Sequence, residues 1–175
     1  MSVTVIRAGD CPEKPWKNGG GTTREIAVFP PGAGMDDFLW RLSMARVEAA
    51  GPFSVFAGVD RTLAVLEGTL HLTGAVGAML DPASAPFPFD GGASVEGVLP
   101  GGPVLDLNAM VRRGAFTCEM QRLGPGEVLG ANGSTFLLAL EPQALGGADL
   151  GYLDCARIDG PVTTSGSGLL VRFLS

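Results

Sequence analysis

Glycine and proline recur so often along this chain that long helices have little room to form. The sequence contains 27 glycines and 13 prolines, together 40 of its 175 residues, or about 23%, against roughly 12% in average proteins. Glycine destabilises helix interiors and proline removes a helical hydrogen bond. Hydrophobic residues make up 46% of the chain and charged residues only 17%. The composition therefore favours an all-β fold and excludes an intrinsically disordered chain.

The charge balance argues against two classes of partner. The 12 lysines and arginines are outnumbered by 18 acidic residues, which gives a net charge of −6. The basic residues form no cluster, so neither nucleic acid nor an anionic membrane surface is an expected partner. No uncharged apolar stretch approaches the ~20 residues of a membrane-spanning helix.

The first residues and the cysteines bear on localisation. The start, MSVTVIRAGD, lacks the pattern of a signal peptide. Cys11, Cys118 and Cys155 are odd in number and far apart, which is unlike a secreted disulfide framework. We expect a cytoplasmic protein with reduced thiols.

Short apolar segments separated by glycine and proline predict strands. They lie at residues 2–6, 24–29, 38–47, 62–66, 69–72, 75–80, 94–99, 103–112, 116–123, 135–140 and 169–174. Such spacing is typical of a sandwich or a barrel. Helix is predicted only as single turns, at residues 47–50 and 143–147. We expect one compact unit over residues 1–175, with a weak internal boundary at residues 113–115.

The densest polar segment is residues 16–25, WKNGGGTTRE. Three glycines allow backbone N–H groups to converge on an anion, and Lys17 and Arg24 add positive charge on either side. A phosphate-binding P-loop is excluded, because there the lysine follows the glycines and a helix follows the lysine. The alternative is a tightly turned glycine corner with solvated charges.

A second polar cluster lies on the strand at residues 103–112. Side chains alternate along a strand, so Asp106, Asn108 and Arg112 share one face, opposite Leu105 and Leu107. A carboxylate, an amide and a guanidinium on one face suit a polar ligand. The alternative is a solvent-exposed face with a local salt bridge.

Two more arginines are candidates for anion binding. Arg41 and Ser43 share a face of the strand at residues 38–47, and Arg61 begins the next apolar run. Arg41 and Arg61 could equally pair with acidic residues on neighbouring strands. Asp60 is expected to have such a structural role. If these faces line one cavity, Lys17 and Asn18 of the glycine segment would cover its mouth.

The residues for common catalytic sites are largely missing. His71 is the one histidine, so a metal site with two or more histidines is excluded. No G-x-S-x-G segment supplies a nucleophile for a Ser-His-Asp triad. Carboxylate pairs cannot be placed without a fold.

Three segments carry a resemblance to a known family. They are WKNGGGTTREI, then FLWRLSMARVEAAGPFSVFAGVDRTLAVLEG, then FPFDGGASVEG followed by GGPVLDLNAMVRRG. In this order and spacing they resemble the HutD/Ves family over residues 16–114. The last third of the chain carries no such motif.

The resemblance implies a cupin-like double barrel (bicupin) within one chain. Metal-dependent cupins place histidines just before a segment like residues 64–68, whereas residues 53–56 here are FSVF, so the barrel is expected to be metal-free. HutD proteins are associated with bacterial histidine utilisation and are thought to bind or regulate rather than catalyse.

The ligand implied by that association is a small anionic metabolite, with N-formylglutamate the first to test. The residues expected to bind it are Lys17, Asn18, Arg41, Ser43, Arg61, Asp106, Asn108 and Arg112. No catalytic residue, cofactor or metal is assigned.

Two alternatives stay open. The first is a metal-free enzyme, an isomerase or hydrolase of such a metabolite, which would need an Asp or Glu of raised pKa in a pocket. The second is a structural partner protein with a vestigial pocket. A homodimer is also left open by the sequence.

Overall fold

Nearly all regular structure in the chain is β-strand. The computed structural model describes residues 2–175. Over these residues the chain forms nineteen strands and one single-turn 3-10 helix, Ala8–Asp10. In chain order the strands are β1 (Val3–Ile6), β2 (Glu13–Pro15), β3 (Gly21–Phe29), β4 (Trp40–Val47), β5 (Gly51–Pro52), β6 (Val59–Glu67), β7 (Leu70–Gly74), β8 (Ala78–Leu80), β9 (Phe87–Asp90), β10 (Val95–Val98), β11 (Val104–Arg112), β12 (Thr117–Leu123), β13 (Val128–Leu129), β14 (Ser134–Ala139), β15 (Gln143–Leu145), β16 (Ala148–Leu150), β17 (Cys155–Ile158), β18 (Val162–Thr163) and β19 (Gly168–Leu174).

The prediction of an all-β chain is confirmed, but the two predicted helical turns are wrong. At the second, β15 pairs with β16 through Gly146 and Gly147, whose φ angles are 56° and 81°. A two-residue turn with both φ angles positive is a favoured hairpin connection, and Gly-Gly suits it. At the first, Val47 still belongs to β4, and the N–H groups of Glu48 and Ala49 donate to the carbonyl of Gly20. Within residues 2–175 no helix is long and apolar enough to span a membrane.

The strands divide between two units. The larger unit, Pro12–Phe116, contains a six-stranded sheet in the order β2-β3-β4-β11-β6-β9 and a four-stranded sheet in the order β5-β10-β7-β8. Its core joins Leu63 and Val104 of the first sheet to Leu70 and Leu72 of the second. These side chains lie on one face of each strand, as the two-residue period of β-structure requires.

The smaller unit consists of the segment up to Cys11 together with Thr117–Ser175. Its main sheet has the order β1-β17-β14-β19-β12, and β13-β18 and β15-β16 are separate two-stranded pairs. Leu137, Ile158 and Leu170 pack in a core of its own. Each described sheet in both units has two edge strands, so none of them closes into a barrel.

All eleven predicted strands overlap a strand of the structure, and the omissions are short. The longest are β9 and β17, with four residues each, and β17 pairs with both β1 and β14. Its sequence, Cys-Ala-Arg-Ile, has too little alternation to mark a strand, and its place is fixed by its neighbours.

Candidate functional site

The register of three neighbouring strands places the predicted polar residues side by side. In one row, Met110 of β11 pairs with Arg41 of β4 and with Arg61 of β6. In the next row, Asn108 pairs with Ser43. Because paired residues point to the same side of a sheet, these side chains share one face.

A cavity of about 450 Å³ lies over this face. Seven of the eight residues predicted to bind a ligand line it: Lys17, Asn18, Arg41, Ser43, Arg61, Asp106 and Asn108. Trp16, Met35, Phe53, Phe56 and Met110 supply apolar walls. The cavity therefore combines three cationic side chains with one carboxyl group and an aromatic surround.

Arg61 is the most deeply placed cation of the cavity. The residue is only 9% exposed, and its guanidinium carbon lies 5.4, 5.9 and 5.1 Å from the ring centres of Phe53, Phe56 and Phe89. Nη2 donates to Oδ1 of Asn108 at 2.9 Å, while Nε is buried without a partner. Burial lowers the pKa of Arg61 to about 10, which leaves the group charged at neutral pH. An arginine held this way retains unused capacity to attract an anion.

Asp106 is the one acidic residue that lines the described cavity. It is 1% exposed, and Oδ1 accepts a hydrogen bond from Nδ2 of Asn108 at 2.6 Å. Burial raises the pKa of Asp106 to about 7, against opposing effects of Arg61 and Asn108. Asn108 thus links the guanidinium of Arg61 to a carboxyl group that titrates near neutrality.

Arg41 is held by a pair at the rim. Nε donates to Oε1 of Glu25 at 2.9 Å, and Nη1 donates to Oγ of Ser43 at 3.3 Å. The Glu25 side chain is 41% exposed, so water screens this ion pair. A bulge in β3 follows Glu25, and bulges commonly redirect side chains beside functional sites.

The glycine segment forms a tight corner rather than an anion nest. Gly19 has a φ of 74° and donates its N–H to the carbonyl of Trp16. The N–H of Gly20 donates to Oδ1 of Asn18 at 2.8 Å. Both N–H groups are thus used within the turn, and the segment presents the exposed side chain of Lys17 to the cavity instead.

Arg112 is the predicted site residue that the structure places elsewhere. Its guanidinium carbon lies 4.9 Å from the ring centre of Phe38, and Nη2 donates to the carbonyl of that residue at 3.2 Å. It shares a strand face with Asp106, but it lies at the end of β11 where the chain turns away. Asp60 has the expected structural role, because it pairs with Arg113 at 2.7 Å.

Several cavity residues were missed in the sequence. Phe53 and Phe56 lie in an irregular segment between β5 and β6, where no period assigns a side to a side chain. Glu25 does not line the cavity, and its role as the partner of Arg41 was missed because the two residues lie 16 positions apart on different strands. The aromatic residues beside Gly51-Pro52 were the one local signal that could have identified the wall.

The donor set of the cavity does not fit the metal ion that many cupins hold. A divalent cation needs several carboxylate, imidazole or thiolate ligands. Here Asp106 is surrounded by cations, and no group of three His, Cys, Asp or Glu within residues 2–175 is placed to hold a metal. His71 lies on β7 and does not line the cavity.

Comparison with known sequences places these features in a family. The model of the HutD family matches residues 8–167. The uncharacterized 21.2 kDa protein of the hutC 3′ region of Pseudomonas putida is 37% identical over 168 residues, which cover 90% of this chain and 87% of that protein. Protein Ves of Citrobacter koseri is 42% identical over 101 residues, or 56% of this chain and 52% of Ves.

Solved structures agree with the sequence comparison. HutD from Pseudomonas fluorescens SBW25 has a TM-score of 0.89 and 30% identity, with 98% of each chain covered. Bacterial pirin YhhW from Escherichia coli, solved in complex with nickel(II), has a TM-score of 0.65 at 12% identity, with 98% of each chain covered, which is a likeness of fold alone. The fold is all-β and cupin-like.

Proposed function

This chain belongs to the HutD family, and on that premise we propose that its cavity binds a small dicarboxylate and so regulates histidine utilisation. The observation that carries the proposal is the row of Arg41, Met110 and Arg61. Two strand spacings separate the two arginine Cα atoms by roughly 10 Å, so side chains converging on the cavity reach the two ends of one short diacid.

The wall chemistry supports a ligand that is both anionic and partly apolar. Lys17, Arg41 and Arg61 outnumber Asp106, and an arginine fork matches a carboxylate. Phe53 and Phe56 offer apolar contact to a carbon backbone. The cavity is near the lower end of the roughly 300–1,000 Å³ typical of ligand sites. A histidine-degradation intermediate such as N-formyl-L-glutamate meets these requirements.

The regulatory part of the proposal rests on a relative. The Pseudomonas putida protein is named for its place in the hutC 3′ region. A binding protein encoded beside such genes would sense an intermediate of the pathway and limit its flux.

Titration calorimetry with N-formyl-L-glutamate tests the proposal. We expect saturable binding of one ligand per chain, with no binding of the uncharged dimethyl ester. The Arg61→Ala variant should weaken binding by about 1.5–3 kcal/mol, the usual value of a charged hydrogen bond. Absence of binding to N-formyl-L-glutamate and to glutarate would overturn the proposal.

Asp106 favours a second candidate, a metal-free isomerase or hydrolase. A buried carboxyl group that titrates near neutrality is suited to proton transfer. Incubation with N-formyl-L-glutamate, followed by NMR, separates the two. Release of formate or a rearranged product, lost in Asp106→Asn, would establish the enzyme.

We also propose the finer architecture and setting. Two units with separate sheets and cores support a bicupin, and the cavity's donor set supports a metal-free one. Cys11, Cys118 and Cys155 are thiols, which supports a cytoplasmic protein.

A further inference from the structure

We propose that the cavity takes up a proton together with its anionic ligand, and that Asp106 receives it. This inference rests on the proposed binding function. It concerns how the same site responds to pH, which neither the family nor the resemblance to known structures assigns.

The geometry begins with a chain of three side chains. Nη2 of Arg61 donates to Oδ1 of Asn108 at 2.9 Å, and Nδ2 of Asn108 donates to Oδ1 of Asp106 at 2.6 Å. No ion pair joins Arg61 to any carboxylate within the described residues. The negative charge of Asp106 is therefore balanced across an amide and not by direct contact.

The charges around Asp106 come from three elements. Arg61 faces it from β6, Arg41 faces the cavity from β4, and Lys17 faces it from the glycine segment. Glu25 on β3 is the nearby acid at the rim, where it is paired with Arg41. The Arg46–Glu67 pair lies in the row of Leu105, on the opposite face of the sheet.

A ligand carboxylate changes this balance. It would occupy the donors of Arg61 and Arg41 and place a second negative charge beside the buried carboxyl group. Two carboxylates in one low-dielectric site hold a proton between them, because both cannot ionise at low cost. In the ligand-free protein the pKa of Asp106 is raised by burial to about 7, so only a small further rise is needed for protonation at neutral pH.

Two other roles for Asp106 predict different behaviour. A carboxylate that only anchors Asn108 would give no proton uptake. An ionised carboxylate that accepts a hydrogen bond from a ligand N–H would release protons and bind more tightly as pH rises. Neither role depends on the excess of positive charge in the cavity, for which an entering anion would compete with Asp106.

The experiment counts protons during binding to the wild-type protein. Glutarate and N-formyl-L-glutamate are fully ionised above pH 7, so they supply no proton of their own. Titrations run in amine buffers of different ionisation heat (Bis-Tris, triethanolamine and Tris), whose cations do not compete for the site. We expect uptake of about half a proton per ligand at pH 7, from the value near 7 for Asp106. The dissociation constant should rise severalfold from pH 7 to pH 8.5.

Variants assign the proton to its group. Asp106→Asn should bind glutarate without proton uptake and with a dissociation constant that is flat over this pH range. Asp60 is next to Arg61 in the sequence but pairs with Arg113 on the opposite face of the sheet. Asp60→Asn should therefore take up as many protons as the wild type. If Asp106→Asn does not fold, carbon NMR of the wild-type aspartate carboxyl groups gives the same answer. One carboxyl signal should titrate with a midpoint near pH 7, and this midpoint should move to higher pH when glutarate is bound.

The outcomes are distinct. No binding of either diacid at any pH overturns the proposed function. Binding with no proton uptake, or with release, overturns this inference and leaves the binding function standing. Uptake that persists in a folded Asp106→Asn also overturns it, because the proton would then go elsewhere.

Discussion

Arg41 and Arg61 stand on either side of Met110 in one row of the six-stranded sheet, so that two guanidinium groups face one cavity. The proximity of Arg41 adds to burial in lowering the pKa of Arg61. Like charges kept together in this way destabilise the empty site and favour an anion that bridges them.

Removal of Arg41 should weaken the binding of a diacid. The Arg41→Ala variant loses one of the two cations that the proposed ligand would bridge, so the affinity for glutarate should fall by about 1.5–3 kcal/mol. Arg46→Ala is the matched control, because Arg46 lies on the same strand but on the opposite face, in a solvent-exposed pair with Glu67. Titration calorimetry measures both. Equal losses in the two variants would mean that overall charge, and not the cavity, governs binding.

Neutralising Glu25 should have the opposite effect. In Glu25→Gln the guanidinium of Arg41 no longer faces a competing carboxylate, so the affinity for glutarate should rise. The Glu25 side of the pair is solvent-exposed, which limits the gain to about 1 kcal/mol. Glu13→Gln removes an acid of similar exposure whose partner is Arg24, and it should change little. If Glu25→Gln binds more weakly, Glu25 serves to orient Arg41.

Asp106 should make the stability of the protein depend on pH. In the folded protein the carboxyl group of Asp106 keeps its proton up to about pH 7, whereas in the unfolded chain it releases the proton near pH 3.8. The folded state therefore binds more protons between these values, and raising the pH through this window lowers the free energy of unfolding.

Urea unfolding at pH 5 and pH 8 measures the effect. The wild type should lose stability relative to Asp106→Asn as the pH rises, by up to a few kcal/mol. Asp90, Asp154 and Glu141 have lowered pKa values, so their contributions are lost at acid pH, below this window. A difference between the proteins that is independent of pH would contradict the raised pKa of Asp106.

The glycine corner should tolerate no side chain at its last position. A Cβ at Gly21 would collide with the carbonyl of Arg46 and lie 3.1 Å from the Trp16 ring. We expect Gly21→Ala to lower the free energy of unfolding by about 1–3 kcal/mol, the usual cost of overpacking. Gly34→Ala is the control, because nothing lies within 4 Å of its added Cβ. Thermal unfolding of the two variants checks this, and similar melting temperatures would contradict it.

How far the sequence predicted the structure depends on how local each feature is. The alternation along β4 correctly predicted that Arg41 and Ser43 share a face of that strand. The alternation along β11 did the same for Asp106 and Asn108, since strand periodicity is a local property. That the two faces are continuous depends on the register between strands, which the sequence does not contain. Arg112 shows the limit, because it has the right parity but lies beyond the cavity.

The smaller unit was the harder part to predict. After Gln143–Leu145, the pair Gly146-Gly147 between two short alternating segments is a hairpin signal, and the helical turn predicted there is wrong. The strand Cys155–Ile158 had no signal of its own. Its conformation depends on residues far away in the chain, with which it pairs on both sides.

The pairing of the first strand has a consequence for how the protein is made. Val3 lies opposite Ile158, so Val3–Ile6 finds its partner only after the segment up to Ile158 has been synthesised. At roughly 5–20 residues per second, the ribosome takes about ten seconds or longer to add the intervening residues. During this time Pro12–Phe116 can already complete its own sheets, whereas the N-terminal strand has no partner. Until β17 is made, the emerging chain therefore carries a strand whose backbone N–H and C=O groups have no partner, beside a larger unit that can already fold.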